Sequence, residues 1–286
     1  MGIFDIFKRK KAVYVPPKGE AVPEEKARLI LDEFIETYSV QSVKLTAKRG
    51  KPDISDSKFG GTPYIPLDFE YPRDKDGNPL RLLAQLNFNT LPGLDKFPQK
   101  GILQFFIAAD DDVHGANFDN LTGQDNFRIV YHPDTNDGGQ LSDSFSGPTD
   151  SFFPFTGEYV LTAEIEPCVL TCNDYRFDEK FVEVCKKHID TNASSYLDFD
   201  DDFTDMIFDE LSKLGHRLGG YPHFTQYDPR NDESPHDVLL LQIDTDWTDG
   251  ENDIMWGDGG VANFFISSAD LVCLDFSNVL YTWDCC

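Results

Sequence analysis

Positive charge is scarce in this 286-residue chain: 25 Lys and Arg stand against 51 Asp and Glu, a formal net charge of −26. A phosphate backbone is bound by clustered Lys and Arg, so this balance argues against a nucleic-acid partner. It favours solubility and a basic protein partner instead. Long apolar runs are also missing. None approaches the ~20 residues of a membrane span, and no apolar signal core precedes a cleavage site. The six Cys are scattered and include the adjacent pair Cys285-Cys286, which is not a disulfide framework. These absences together predict a reduced, cytoplasmic protein. Motifs that carry chemistry are thin as well. Gly60-Gly61 lacks the rest of a P-loop. Asp74-Lys75-Asp76-Gly77-Asn78 lacks the closing Glu of an EF-hand and reads as a hairpin turn. Cys168 and Cys172, read as lying on one strand, have no second ligand pair for zinc and read as buried structural thiols.

What is present is aromatic, with 24 Phe, and it repeats. Residues 82–109, LLAQLNFNTLPGLDKFPQKGILQFFIAA, have an echo in 239–268, LLLQIDTDWTDGENDIMWGDGGVANFFISS. Gln242 follows Gln85 by 157 positions, and Phe264-Phe265-Ile266 follows Phe105-Phe106-Ile107 by 159. Gly219-Gly220-Tyr221-Pro222-His223 follows Gly60-Gly61-Thr62-Pro63-Tyr64, again by 159. Such spacing predicts an internal duplication, with pseudo-repeats at about 58–110 and 217–268. The expected fold is α+β: two related antiparallel β-rich halves, facing one another about a pseudo-twofold axis and covered by a few helices. Residues 24–286 then form one domain, after a segment 1–23 with a Pro-Pro linker.

The elements follow from pattern. Pro23, Glu24 and Glu25 start a helix over Glu24–Tyr38 whose stripe Ala27, Ile30, Leu31, Phe34 should cover a sheet face. Further helices are expected over 176–189 and 206–214, the latter behind the acidic run 198–205. Strands are expected over 127–132 and 159–165, with 270–276 and 279–283 as two closing strands. The loop 109–124 should be exposed, and 133–148 a surface excursion. Strict alternation puts Leu82, Ala84, Leu86 and Phe88 on one face and Leu83, Gln85, Asn87 and Asn89 on the other. In the echo, Leu239, Leu241 and Ile243 share a face, opposite Leu240, Gln242, Asp244 and Asp246. Gln104 aligns with Asn263.

Amides at matched positions in apolar strands need partners, because an unpaired buried one costs about 1–3 kcal/mol. Either they satisfy main-chain groups where the halves join, or they line a cleft there. The candidate ligand-binding set is Gln85, Asn87, Gln104, Tyr221, His223, Gln242, Asp244, Trp256, Asp258 and Asn263. His223 with Asp228 nearby could do acid–base work, yet no nucleophile accompanies them, so no catalytic residue is assigned. No cofactor and no metal is expected. Were calcium bound, Asp244, Asp246, Asp249 and Glu251 would be its ligands. Ile3, Phe4, Ile6 and Phe7 ahead of Lys8-Arg9-Lys10-Lys11 suit contact of residues 3–11 with an anionic membrane surface.

The blocks LLAQLNF, GILQFFIAADDD, LLQIDTD and above all GGYPHFTQYDPR followed by MWGDGGVANFFI resemble the YwqG-like family, a bacterial family of unknown function. The resemblance spans roughly 24–276. It implies an α+β fold with a duplicated core and no agreed catalytic residues. The occurrence of relatives near toxin and immunity genes implies a protein-binding role. The expected function is therefore a non-catalytic acidic protein-binding or regulatory domain. The alternative is a small-ligand binder or enzyme that uses a cleft between the halves.

Overall fold

A computed structural model describes residues 19–135, 152–247, 250 and 253–285. The chain starts with α1 (Glu24–Tyr38), which runs directly into β1 (Ser39–Arg49). Then come β2 (Lys58–Phe59), β3 (Arg81–Asn87), β4 (Ile102–Ile107), β5 (Phe127–His132) and β6 (Tyr159–Val169). Two helices, α2 (Phe177–His188) and α3 (Asp201–Leu211), precede β7 (His216–Gly219), β8 (Val238–Asp244) and β9 (Val261–Ile266). A short α4 (Ser268–Cys273) and β10 (Leu280–Asp284) close the chain.

All ten strands form one antiparallel sheet in the order β10-β9-β8-β7-β1-β6-β2-β3-β4-β5. The long pair β1–β6, in register from Ser39↔Val169 to Arg49↔Tyr159, is its centre. From that pair the two wings run outward in the same order: a short strand, a hairpin and an edge strand. The wings are far apart within the sheet, yet Phe105 of β4 and Phe264 of β9 touch, with ring centroids 4.9 Å apart. Only a sheet that curls on itself permits this contact. The edges meet as well: Phe127 of β5 lies 5.2 Å from Tyr281 of β10. One aromatic core fills the curl.

Alternation fails at one place in each wing. The register slips between Leu82 and Ala84 in β3 and between Leu239 and Leu241 in β8. At a β-bulge two neighbours share a face, so Leu83 and Ala84 both enter the inner core, as do Leu240 and Leu241. Leu82 and Leu239 are therefore on the outer faces, where they pack with Phe106 and Phe265 respectively. The expected grouping of Leu82 with Ala84, and of Leu239 with Leu241, is corrected accordingly.

Helix α1 has its predicted bounds, but not its predicted neighbour. Ala27, Ile30, Leu31 and Phe34 pack against Phe177, Phe181 and Phe203 of the other helices. The helices thus build a second core of their own, which meets the sheet at Val169 and Leu170 at the end of β6. The first part of the expected strand 270–276 is instead helical, within α4: the Ser267 side chain caps the Asp270 amide and starts the turn. Cys172 lies past the end of β6 rather than on it; both it and Cys168 are buried free thiols. Residues 3–11, Asp249 and Glu251 lie outside the described residues, as does most of 133–148. Among the described residues no helix is long and apolar enough to cross a membrane.

Full burial of Phe105 and Phe264 sets a test. Phe105→Ala and Phe264→Ala should each lower the unfolding free energy by about 3–5 kcal/mol in urea denaturation. The double variant should lose less than the sum, because contacting residues couple. Additive losses would mean that the wings hold separate cores.

Candidate functional site

The predicted amides come first, because their surroundings are matched in the two wings. After β2 the chain passes through Gly60 and Gly61, and at the end of β7 through Gly219 and Gly220. Their φ values are 67° and 74°, then 65° and 73°, a left-handed conformation that glycine adopts without strain. A Cβ on Gly220 would also stand 2.8 Å from the Cys168 Cβ. The turns lay Tyr64 and His223 on the outer faces of the hairpins. There Gln85 Oε1 accepts from the Tyr64 amide at 2.8 Å, and Gln104 Nε2 donates to the Tyr64 carbonyl at 2.7 Å. In the other wing Gln242 Oε1 accepts from the His223 amide at 2.7 Å, and Asn263 Nδ2 donates to its carbonyl at 2.8 Å. Each pair holds both polar groups of one main-chain residue. Gln85 and Gln242 also donate to carbonyls of the preceding loops, at Ile54 and Gly215.

The four amides therefore form two pairs on two outer faces, each turned away from the core that the wings share. Asn87 and Asp244 hold the adjoining loops: Asn87 donates to the Ser55 carbonyl and Asp244 accepts from the Gly215 amide. Buried Lys58 and Arg217 occupy matching places in β2 and β7, opposite Gln85 and Gln242. Lys58 Nζ donates to the Asp53 and Ile54 carbonyls. His216 Nδ1 accepts from the Asp244 amide, and its Nε2 stands 3.5 Å from Asp246 Oδ2. Asp258 is exposed. Among the described residues no group of three His, Cys, Asp or Glu is placed to hold a metal ion.

Tyr221 and His223 adjoin a buried charge network that the GGYPHFTQYDPR block helps to build. Arg230 binds Asp228 through Nε and Nη2, at 2.9 and 2.7 Å, and reaches Asp174 at 3.1 Å. Arg176 binds Asp174 through both Nε and Nη2. Two guanidiniums and two carboxylates balance, as burial requires. Arg176 also lies over the Tyr221 ring, 5.3 Å from its centroid. His223 Nδ1 is 3.1 Å from Asn173 Oδ1, and burial lowers its pKa. The network ties the start of α2 to the loop after β7.

A different set of residues lines open space. Where the sheet closes on itself, the loop after β4 is stitched to β10: Tyr281 donates to the His114 carbonyl and Trp283 Nε1 to the Val113 carbonyl. Beside this seam lies a cleft of about 520 Å³. It is lined by Phe152, Phe153, Phe155, Met255 and Trp283, with the carboxylates of Asp112 and Asp253. Both wings thus contribute. His114 also lines it, at 8% exposure, in a left-handed conformation with φ 51°. Such a φ in a non-glycine residue is uncommon and gathers at functional sites. Burial lowers the His114 pKa, and a hydrogen bond with the Phe152 backbone opposes that shift. Nδ1 meets no partner. Predicted Trp256 stands behind this ring, fully buried, with centroids 5.4 Å apart.

Asp253 is the most heavily bonded group of the cleft. Arg49 donates to it at 2.6 Å, and the Tyr159 and Thr156 hydroxyls donate too. Burial opposes its charge, but these bonds and the Arg49 charge hold its carboxyl below the ordinary value. Asp112 is exposed and has no ion-pair partner among the described residues. Neither carboxylate, nor His114, is in the predicted set. The loop around His114, expected to be exposed, is folded inward, with Ala116 also buried. The available signal was the apolar run Phe152-Phe153-Pro154-Phe155, too proline-broken for a central strand.

Residues 57–285 match the model of a family described as Domain of unknown function (DUF1963). The chain belongs to that family. No curated protein matches the chain. The DUF1963 match starts at the end of the loop before β2, so it leaves out α1 and β1, although β1 stands at the centre of the sheet. It includes both amide pairs, the Asp–Arg network and the residues that line the cleft, but not Arg49.

The buried Lys58 makes the matched environment measurable. Burial pushes its ammonium down to about 8, from about 10.4 in an unfolded chain. Between these values the unfolded chain binds more protons, so stability rises with pH across that window. Relative to Lys58→Met, the native protein should gain urea stability from about pH 8 to about pH 10. A difference that stays flat with pH would contradict this placement.

Proposed function

We propose that this DUF1963 protein is a non-catalytic binding domain that docks a basic segment of a protein partner. The observation that carries the reading is the cleft at the seam, where an exposed carboxylate stands beside exposed apolar side chains. Phe152 is 57% exposed, nearby Phe118 55% and Met255 40%, and exposed apolar groups gathered at one place mark an interaction site. The net charge of −26 supplies a long-range field that attracts a basic partner. Two groups of the cleft are occupied: the Thr156 hydroxyl donates to Asp253, and Asp253 is paired with Arg49. The likeness of GGYPHFTQYDPR to the YwqG-like family, with its implied protein-binding role, supports the same reading. Free thiols at Cys168, Cys172, Cys185, Cys273 and Cys285 support a cytoplasmic location.

We also read the wings as copies of one ancestral unit. Support comes from the matched bulges, the paired left-handed glycines and the amides that hold Tyr64 and His223.

Fluorescence anisotropy with a labelled oligo-arginine peptide tests the binding role. One peptide should bind per protein, with affinity falling several-fold between about 50 and 200 mM salt. Absence of saturable binding, or a stoichiometry of several peptides per protein, would contradict it.

A further inference from the structure

Resting on that reading, we infer that the cleft is a side-chain pocket for an arginine of the partner. The guanidinium would lie against the Phe152 and Trp283 rings with Asp112 as its counter-charge. A planar guanidinium stacks on aromatic faces and pairs with carboxylates through a fixed fork of N–H groups. The cleft's aromatic lining already accepts one. Arg81 lies over the Phe153 ring, 4.0 Å from its centroid. Likewise, Arg49 pairs with Asp253 and lies over the Tyr159 ring at 5.5 Å. Both intramolecular cations use the chemistry proposed for the incoming one. The remaining place, beside Phe152 and Asp112, has no cation among the described residues.

His114 supplies the second, independent sign of a ligand. It is more than nine-tenths buried, lines the cleft and has an unpartnered Nδ1. An unpartnered polar atom in a buried place is costly, and a partner reached from the cleft, directly or through one water, would relieve that cost.

The test compares the oligo-arginine peptide with the same peptide carrying citrulline, which keeps the shape and removes the charge. It uses the full chain and three variants at exposed positions: Asp112→Asn, Phe152→Ala and, on α3, Asp209→Asn. Citrulline should weaken binding by at least tenfold. Asp112→Asn and Phe152→Ala should each weaken arginine binding by about tenfold. Asp209→Asn should leave it within about twofold. The peptide should also change the tryptophan emission, since Trp283 lines the cleft. If the arginine peptide binds but neither cleft variant weakens it, the pocket is elsewhere and this inference falls, while the broader binding role stands. If citrulline binds as well as arginine, the cation is not what the cleft reads. If the native protein binds neither peptide, both readings fall.

Discussion

Everything in this molecule depends on two distant wings of one sheet sharing a single aromatic core. Phe105 and Phe264 are the point of contact, and Phe127, Tyr281 and Phe264 extend it to the sheet edges. A flat ten-stranded sheet would leave these rings in water. At roughly 25 cal/mol per Å² of apolar surface, burial of a core this size drives the sheet to curl until its edges meet. The bulges at Leu83-Ala84 and Leu240-Leu241 serve that curl, since a bulge bends its strand and raises the local twist. They also turn Gln85 and Gln242 outward, where each takes the main chain of the returning segment. Core and amide pair are thus two sides of one hairpin design, used in both wings.

Curling also decides where a ligand can go. The seam between the edges is closed by side chains reaching across it, Tyr281 and Trp283 to the loop after β4. The cleft is what remains open beside that closure. Apart from Trp283 of β10, its lining comes from loops, which suits recognition on a rigid scaffold. Inside the fold, the network of Asp174, Asp228, Arg176 and Arg230 balances its own charge. The excess negative charge is carried largely by exposed carboxylates.

Much of the fold is legible in the sequence, because strand and helix periods are local. The bounds of α1 and β5, the two hairpins and the matched Gly-Gly turns follow from pattern alone. Where reading by alternation goes wrong, it goes wrong for a physical reason. A bulge inserts one residue and flips the phase of everything before it, so Leu82 and Leu239 change faces with no mark in composition. Residues 270–276 look like a strand until the Ser267 cap is recognised. The apolar stripe of α1 announces burial but not against what, and here helices rather than a sheet face receive it. Matched amides in apolar strands announce a need for partners; which partners they meet depends on two glycine turns that bring Tyr64 and His223 over them. The cleft was least legible. It joins residues near 112, 154, 254 and 283, and only the closure of the sheet makes them neighbours.

The central claim is that one cooperative core supports both wings, with Tyr64 and His223 locked to them by side-chain amides. Native-state hydrogen exchange at the Tyr64 and His223 amides tests it most directly. Both should exchange only through global unfolding, with the same protection as the middle residues of β4 and β9. Exchange of either amide through a local opening, or different protection of the two wings, would contradict the account.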